Sequence, residues 1–424
     1  MFRDMGPRGP GAATPRPRRA GDPPACSRFD GTGARRDGAT PAGPAPCDNR
    51  RVIYLDHAAT APPDPRVADA MLPHLTGRVG NPSEPHAAGR RARADLEAAR
   101  AGIGALLGHE RVVLTSGGTE ADNLAVLGRA AGAPGRMVIS ALEHPAVLRP
   151  AEALAARGWE LAVAPVLADG RIDVAALAEL VRSGDALCCA MGASNITGVV
   201  QPIAAIAELC AERGVPLHVD HVQTAAGADA SIAGLPGCVT IAVAAHKLGG
   251  PRGVGALVGA VDGLAPLAYG GGQEAGLRPG TEDVVGAVGL AAALALRQGP
   301  AAGDERARRA ALRDALEARL GLPVAGGSAP RLPGHLLLLT GFRGDTAVRL
   351  LDDRGVCVAA GSACASGEPA PEPALLAMGL DAAAARGAVR VTLGPETTQA
   401  DIDGFADAWA AVAADLARAR EALA

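Results

Sequence analysis

Residues 215–247 read VPLHVDHVQTAAGADASIAGLPGCVTIAVAAHK. Two apolar runs in this stretch, Val215–Asp220 and Val239–Ala244, have the near-continuous hydrophobicity of strands buried on both faces. The first ends in a carboxylate, Asp220; the second runs into Ala245-His246-Lys247. An acid and an amine are thereby delivered to strand ends, where open α/β sheets bind their ligands.

The same rhythm extends to either side. Strand-like runs at Arg111–Thr115, Met137–Ser140, Leu161–Val166, Ala186–Met191 and Val254–Val258 alternate with helical stretches rich in Ala, Leu and Arg. This alternation predicts an α/β sheet covered by helices on both faces. After about residue 297 the pattern restarts, with strands expected at His335–Thr340, Val356–Ala359 and Ala388–Leu393 and a long alanine-rich helix from about Gln399. The expected organisation is a large α/β domain over 51–297, opened by a short strand at Val52–Asp56 whose residues can join the smaller domain, and a small C-terminal α/β domain over 298–424. Residues 1–50 are rich in Gly, Pro, Ala and Arg without apolar periodicity and are expected to be disordered. No apolar segment follows their arginines as in a secretory signal, and a misassigned start codon is the other reading.

Hydrophobic residues make up 48% of the 424-residue chain but aromatic ones only 2%, so the core must be built mainly from Ala, Val and Leu. Apolar runs are too short for a membrane span. A net charge of −4 without a basic stripe argues against a nucleic-acid surface. The eight cysteines (26, 47, 188, 189, 210, 238, 357 and 364) include no C-x-x-C pair, which fits neither a zinc site nor a disulfide framework, and a reducing cytoplasm is the expected location.

Of the 41 Lys and Arg residues only Lys247 is lysine. Charge alone would be served by arginine, whereas amine chemistry requires a group that can lose its proton and attack a carbonyl. A leftover surface lysine is the plainer alternative. Asp220, 27 residues earlier, supplies what pyridoxal phosphate needs besides an amine: an anion that keeps the pyridine nitrogen protonated. Gln223 can bond the ring's phenolic oxygen, and without the lysine Asp220 would read equally well as a helix cap or turn residue. Thr115-Ser116-Gly117-Gly118-Thr119 joins a strand to a helix, which describes a phosphate cradle or an ordinary helix start. His144 follows another strand end, where an imidazole can stack on the ring and carry protons or simply satisfy nearby backbone. Cys364 lies in Gly361-Ser362-Ala363-Cys364-Ala365-Ser366-Gly367 ahead of a proline-rich run, a setting that suits an exposed, mobile nucleophile.

With these segments, and with Tyr54–Thr60, Gly80–Ser83, Gly270–Glu274, Gly280-Thr281 and Val389-Arg390 in the same order, the chain resembles the cysteine desulfurases of the class V aminotransferase superfamily, on the fold-type I pyridoxal-phosphate scaffold, over roughly residues 52 to 417. The resemblance implies that Thr119 and His246, with Gly118, bind the phosphate, that Asp220, Gln223 and His144 hold the ring, and that Asn195 and Arg390 hold the substrate carboxylate. Thr281 would reach the phosphate of a partner subunit, implying a homodimer. L-cysteine would become alanine, its sulfur carried as a persulfide on Cys364 by a loop long enough to reach a sulfur-acceptor protein. No metal is implied. Selenocysteine lyase or another class V lyase or aminotransferase is the alternative within the cofactor class, and a non-catalytic scaffold of a sulfur-transfer complex the alternative outside it.

Four positions depart from the family pattern. Ala244 stands where a phosphate-binding serine is usual, which removes a charged hydrogen bond worth about 1.5–3 kcal/mol. Gly192 stands in place of a common histidine, Ile196 of a glutamate, and His57 of tyrosine or asparagine.

Overall fold

The computed structural model describes residues 52–227, 232–237, 239–361 and 370–423. The expectations for residues 1–50 and for Cys364 fall outside these segments. Among the described residues the strands are β1 (Ile53–Tyr54), β2 (Val112–Thr115), β3 (Arg136–Ser140), β4 (Glu160–Ala164), β5 (Leu187–Met191), β6 (Leu217–Asp220), β7 (Val239–Ala244), β8 (Gly255–Gly259), β9 (His335–Leu339), β10 (Val356–Cys357), β11 (Ala359–Ala360) and β12 (Ala388–Thr392).

Seven of them form one mixed sheet in the order β2-β8-β7-β6-β5-β3-β4. β3 to β7 run parallel, and β8 opposes both of its neighbours, β7 and β2. Every residue of β5, β6 and β7 is buried, as helices on both faces of a parallel sheet require. The parallel register carries the carboxyl ends of β3, β5, β6 and β7 to one edge. Helices Ala87–Leu107 and Val284–Gln298 pack on each other against this sheet through Leu96, Ile103, Leu290 and Leu294.

A second apolar core surrounds the three-stranded sheet β11-β12-β9. Its largest members are Phe405 and Trp409, one turn apart on the helix Gln399–Leu423, so two of the few aromatic residues are spent away from the seven-stranded sheet. β1 pairs in parallel with β10, beside this second core. The single strand expected over Val356–Ala359 is in fact two short ones, β10 and β11, that belong to different sheets. No single helix among the described residues is long and apolar enough to cross a membrane.

Candidate active site

The strand ends converge on a cavity of about 260 Å³, near the lower end for small-molecule sites. Gly118 and Thr119 enter it after β2, His144 after β3, Asn195 after β5, Asp220 and Gln223 from β6, and Ala244, His246 and Lys247 from β7. Eight residues expected from the sequence are thus brought together. Arg390 is not part of this wall but donates from Nη1 to the backbone carbonyl of Asn195, which is, at 2.9 Å. Thr281 is exposed and outside it.

Lys247 donates from Nζ to the carbonyls of Ala58 (2.6 Å) and Ala59 (2.8 Å). Burial pulls its pKa down to about 8; Arg390 adds to the shift, and Asp56 and Asp220 oppose it. The amine is therefore far closer to its neutral, nucleophilic form at physiological pH than an exposed lysine. Gln223 Nε2 shares the Ala58 carbonyl at 3.1 Å, and Thr60 Oγ1 lies 3.2 Å from His246 Nδ1. The turn 56–60 thus fastens three of the expected residues.

Asp220 is buried, and Oδ1 accepts from Val222 N at 3.0 Å. Burial raises its pKa, with the Val222 amide, His144 and Lys247 opposing. His144 satisfies nearby backbone, as the plainer of its two readings had it: Nδ1 caps the helix Pro145–Ala155 by accepting from Ala146 N (3.1 Å); its ring also lines the cavity. An accepting Nδ1 places the proton of the neutral ring on Nε2, and burial, partly offset by Asp220, lowers its pKa. The helix Gly118–Arg129 begins with no side-chain cap, leaving first-turn amides for an anion. A Cβ on Gly118 would lie 2.7 Å from Val222 Cγ2, so a larger residue would have to displace that side chain.

Next to Asp220 lies a polar layer that sequence reasoning missed, and its Asp122 lines the cavity itself. Asp122 is buried and bonds His218 Nε2 at 3.0 Å, and His218 Nδ1 meets Thr240 Oγ1 at 3.1 Å. Ligating atoms of Asp122, His144 and Asp220 lie within 4.8 Å of one another. Glu143 is also buried; its Oε1 accepts from Ser140 Oγ and from Met191 N (2.9 Å), and burial raises its pKa to about 8. Burial, with Asp220 and Glu143 adding, likewise raises Asp122. A histidine inside the apolar run of β6 was the available signal.

The departures sort by place. Ala244 lines the cavity, so the wall lacks the hydroxyl that a serine there would supply. A Cβ on Gly192 would lie 2.2 Å from Thr224 Oγ1 and 3.3 Å from His221 Nδ1, so the room of a larger side chain is already filled. Ile196 packs against the small apolar cluster that includes Leu375 and Met378. His57 lies against Gly394 in a separate cavity on another side of Lys247.

The family model Aminotransferase class-V matches residues 53–405. An IscS-like cysteine desulfurase of Mycobacterium tuberculosis is 40% identical over 390 residues, 88% of this chain and 98% of that protein. A solved NifS-like protein superposes with TM-score 0.78 at 29% identity, over 87% of this chain and 100% of that one. A structure described as SspA in complex with cysteine gives 0.72 at 28%, over 81% and 99%. The family match, the sequence identity and the superposition agree: the chain belongs to the class-V aminotransferase family, among its NifS/IscS-like cysteine desulfurases.

Proposed function

We propose that this enzyme is a pyridoxal-phosphate-dependent desulfurase that converts L-cysteine to L-alanine and carries the sulfur on Cys364 to an acceptor protein. The observation that carries the reading is the Lys247 amine, lowered to about 8, in one cavity with the buried Asp220 carboxylate and the His144 ring. The residues fit the cofactor: an uncapped helix start for a phosphate, a buried anion for a pyridinium, and a softened amine for an aldehyde. When bound, pyridoxal phosphate supplies that aldehyde and a ring that withdraws electrons from the substrate's Cα.

Gly118, Thr119 and His246 hold the phosphate, Asp220 keeps the pyridine nitrogen protonated, and Gln223 keeps one amide hydrogen for the phenolic oxygen. Arg390 and Asn195 orient the substrate carboxylate. Lys247, leaving the Ala58 and Ala59 carbonyls, moves the α-proton, and His144 relays protons from Nε2. The Cys364 thiolate attacks the substrate sulfur: a C–S bond breaks, an S–S bond forms on the enzyme, and the carbon left behind takes a proton to give alanine. The role of Cys364 rests on the family resemblance, and the similarity to SspA, whose structure is a complex with cysteine, supports the substrate.

We further place the protein in the cytoplasm as a homodimer, with Thr281 serving the partner's phosphate; its exposure and that of Tyr269 in the same loop support this. A domain boundary near residue 297 fits the helix Val284–Gln298 packing on the large sheet and Ala302–Leu320 contributing Leu316 to the second core.

The test is alanine release from L-cysteine by the pyridoxal-phosphate-loaded protein with excess thiol, compared with Cys364→Ser. Activity lost in the variant supports the persulfide route. Activity retained means a lyase that does not use this cysteine, and no activity in either refutes the desulfurase reading.

A further inference from the structure

β2 is an edge strand, paired on one side with β8 and on the other with no strand among those described. Its outward backbone groups are covered by two side chains. Arg100 donates from Nη1 to Val112 O (2.6 Å), and Glu274 accepts from Leu114 N through Oε2 (2.7 Å). The two are joined by a fork at 2.8 and 2.9 Å, so the pair supplies the bonds a further strand would make. Leu114 directly precedes the turn Thr115–Thr119 that forms the phosphate end of the cavity.

The backbone at Glu274 is strained to make this contact: Glu274 and Ala275 are consecutive non-glycine residues at φ 50° and 55°, a region side chains avoid. The strained turn leads to Arg278, whose Nε donates to Glu120 Oε1 at 3.1 Å. The other oxygen of Glu120 accepts from Ser116 N at 2.5 Å. Amides at Leu114 and Ser116 are therefore gripped by two carboxylates of the chain Glu274, Arg278, Glu120. Each carboxylate is matched by an arginine, which keeps its charge from repelling an anion bound at Thr119.

We propose that Glu274, with Arg100 and Arg278, is a positioning residue that fixes the phosphate turn from outside the cavity and so sets affinity for the cofactor's phosphate. The proposal rests on the pyridoxal-phosphate reading. Glu274→Gln and Arg278→Gln apo-proteins are titrated with pyridoxal phosphate and with pyridoxal, which lacks the phosphate, following absorbance and fluorescence. Each variant is expected to weaken pyridoxal phosphate about tenfold, the scale of one charge-assisted hydrogen bond, and to leave pyridoxal unchanged. Unchanged phosphate-ester affinity, or equal weakening of both ligands, overturns the proposal. Arg278 is partly exposed, so its variant carries the test if Glu274→Gln fails to fold. Wild-type protein that binds neither ligand refutes the cofactor reading itself; wild-type binding with unaltered variants refutes this inference alone.

Discussion

Arg390 on β12 and Asp56, in the turn after β1, form an ion pair at 2.8 Å. Together with the Asn195 carbonyl, Asp56 uses two of the five guanidinium donors, and Nε has no hydrogen-bond partner although it is buried. The guanidinium is thus held in place with donors left for an incoming carboxylate. Arg390→Gln should raise KM for L-cysteine by about 10- to 100-fold, the equivalent of a charged hydrogen bond, with a smaller fall in kcat. Asp56→Ala should raise KM less, because the guanidinium keeps its charge and loses one of its two anchors. Steady-state alanine formation over a cysteine concentration series separates the two parameters.

With one lysine in the chain, ε-amine labelling of the cofactor-free protein reports a single site. Its pKa is lowered to about 8 from 10.5, so the neutral, reactive amine should accumulate with a midpoint near pH 8. The rate of modification by an amine-specific reagent, read by peptide mass at Lys247, should follow that curve. Pyridoxal phosphate should block it. A midpoint near 10.5 would mean that the amine is solvated.

Ala244 lines the cavity beside His246 and Lys247, and the proposed function puts a phosphate within reach of a hydroxyl there. Ala244→Ser should tighten pyridoxal phosphate about tenfold, from one added charge-assisted hydrogen bond, while leaving pyridoxal affinity alone. Titration of both cofactor-free proteins checks this.

Glu143 titrates at about 8 in the folded protein against 4.5 in the free side chain. Between those values the folded state binds the extra proton, so the contribution of this group to stability is complete below about pH 4.5 and is lost as pH rises through 8. Glu143→Gln should make the fall in stability over that window shallower. It should not flatten it, since Asp122 and Asp220 are raised as well. Urea unfolding at a series of pH values reads the slope.

Phe405 is fully buried against β9 and β12. Phe405→Ala should cost about 3–5 kcal/mol of stability, seen as a lower urea midpoint. The large-sheet cavity does not touch it, so pyridoxal-phosphate affinity of the folded variant should hold.

Much of the site was legible because its chemistry is placed by strand ends, and strand ends follow from hydrophobic runs. The run Val239–Ala244 is found residue for residue as β7, and the Asp220 to Lys247 spacing puts both groups in one cavity. What escaped depends on contacts between segments distant in sequence. Asp56 meets Arg390 across 334 residues, Glu274 meets Leu114 across 160, and Asp122 meets His218 across 96. No local pattern encodes such pairings. β10 and β11 escaped for another reason: two-residue strands lack a period to detect. The residues around Gly192 show the same limit, because a missing side chain reveals nothing about which neighbour has taken its room.

Cys188 and Cys189 on β5 are almost wholly secluded from water. The Cys188 thiol is held up by its hydrogen bond with Cys210 and by burial, and the Cys189 thiol by burial. A thiol kept protonated is a poor nucleophile. In a member of the cysteine desulfurase family these side chains serve as inert filler, insulated by packing although Met191 on the same strand lines the cavity. Quantitative sulfhydryl mapping of the native state would therefore count fewer cysteines than the gene encodes, and the shortfall would be a measure of how tightly the central sheet stays shut.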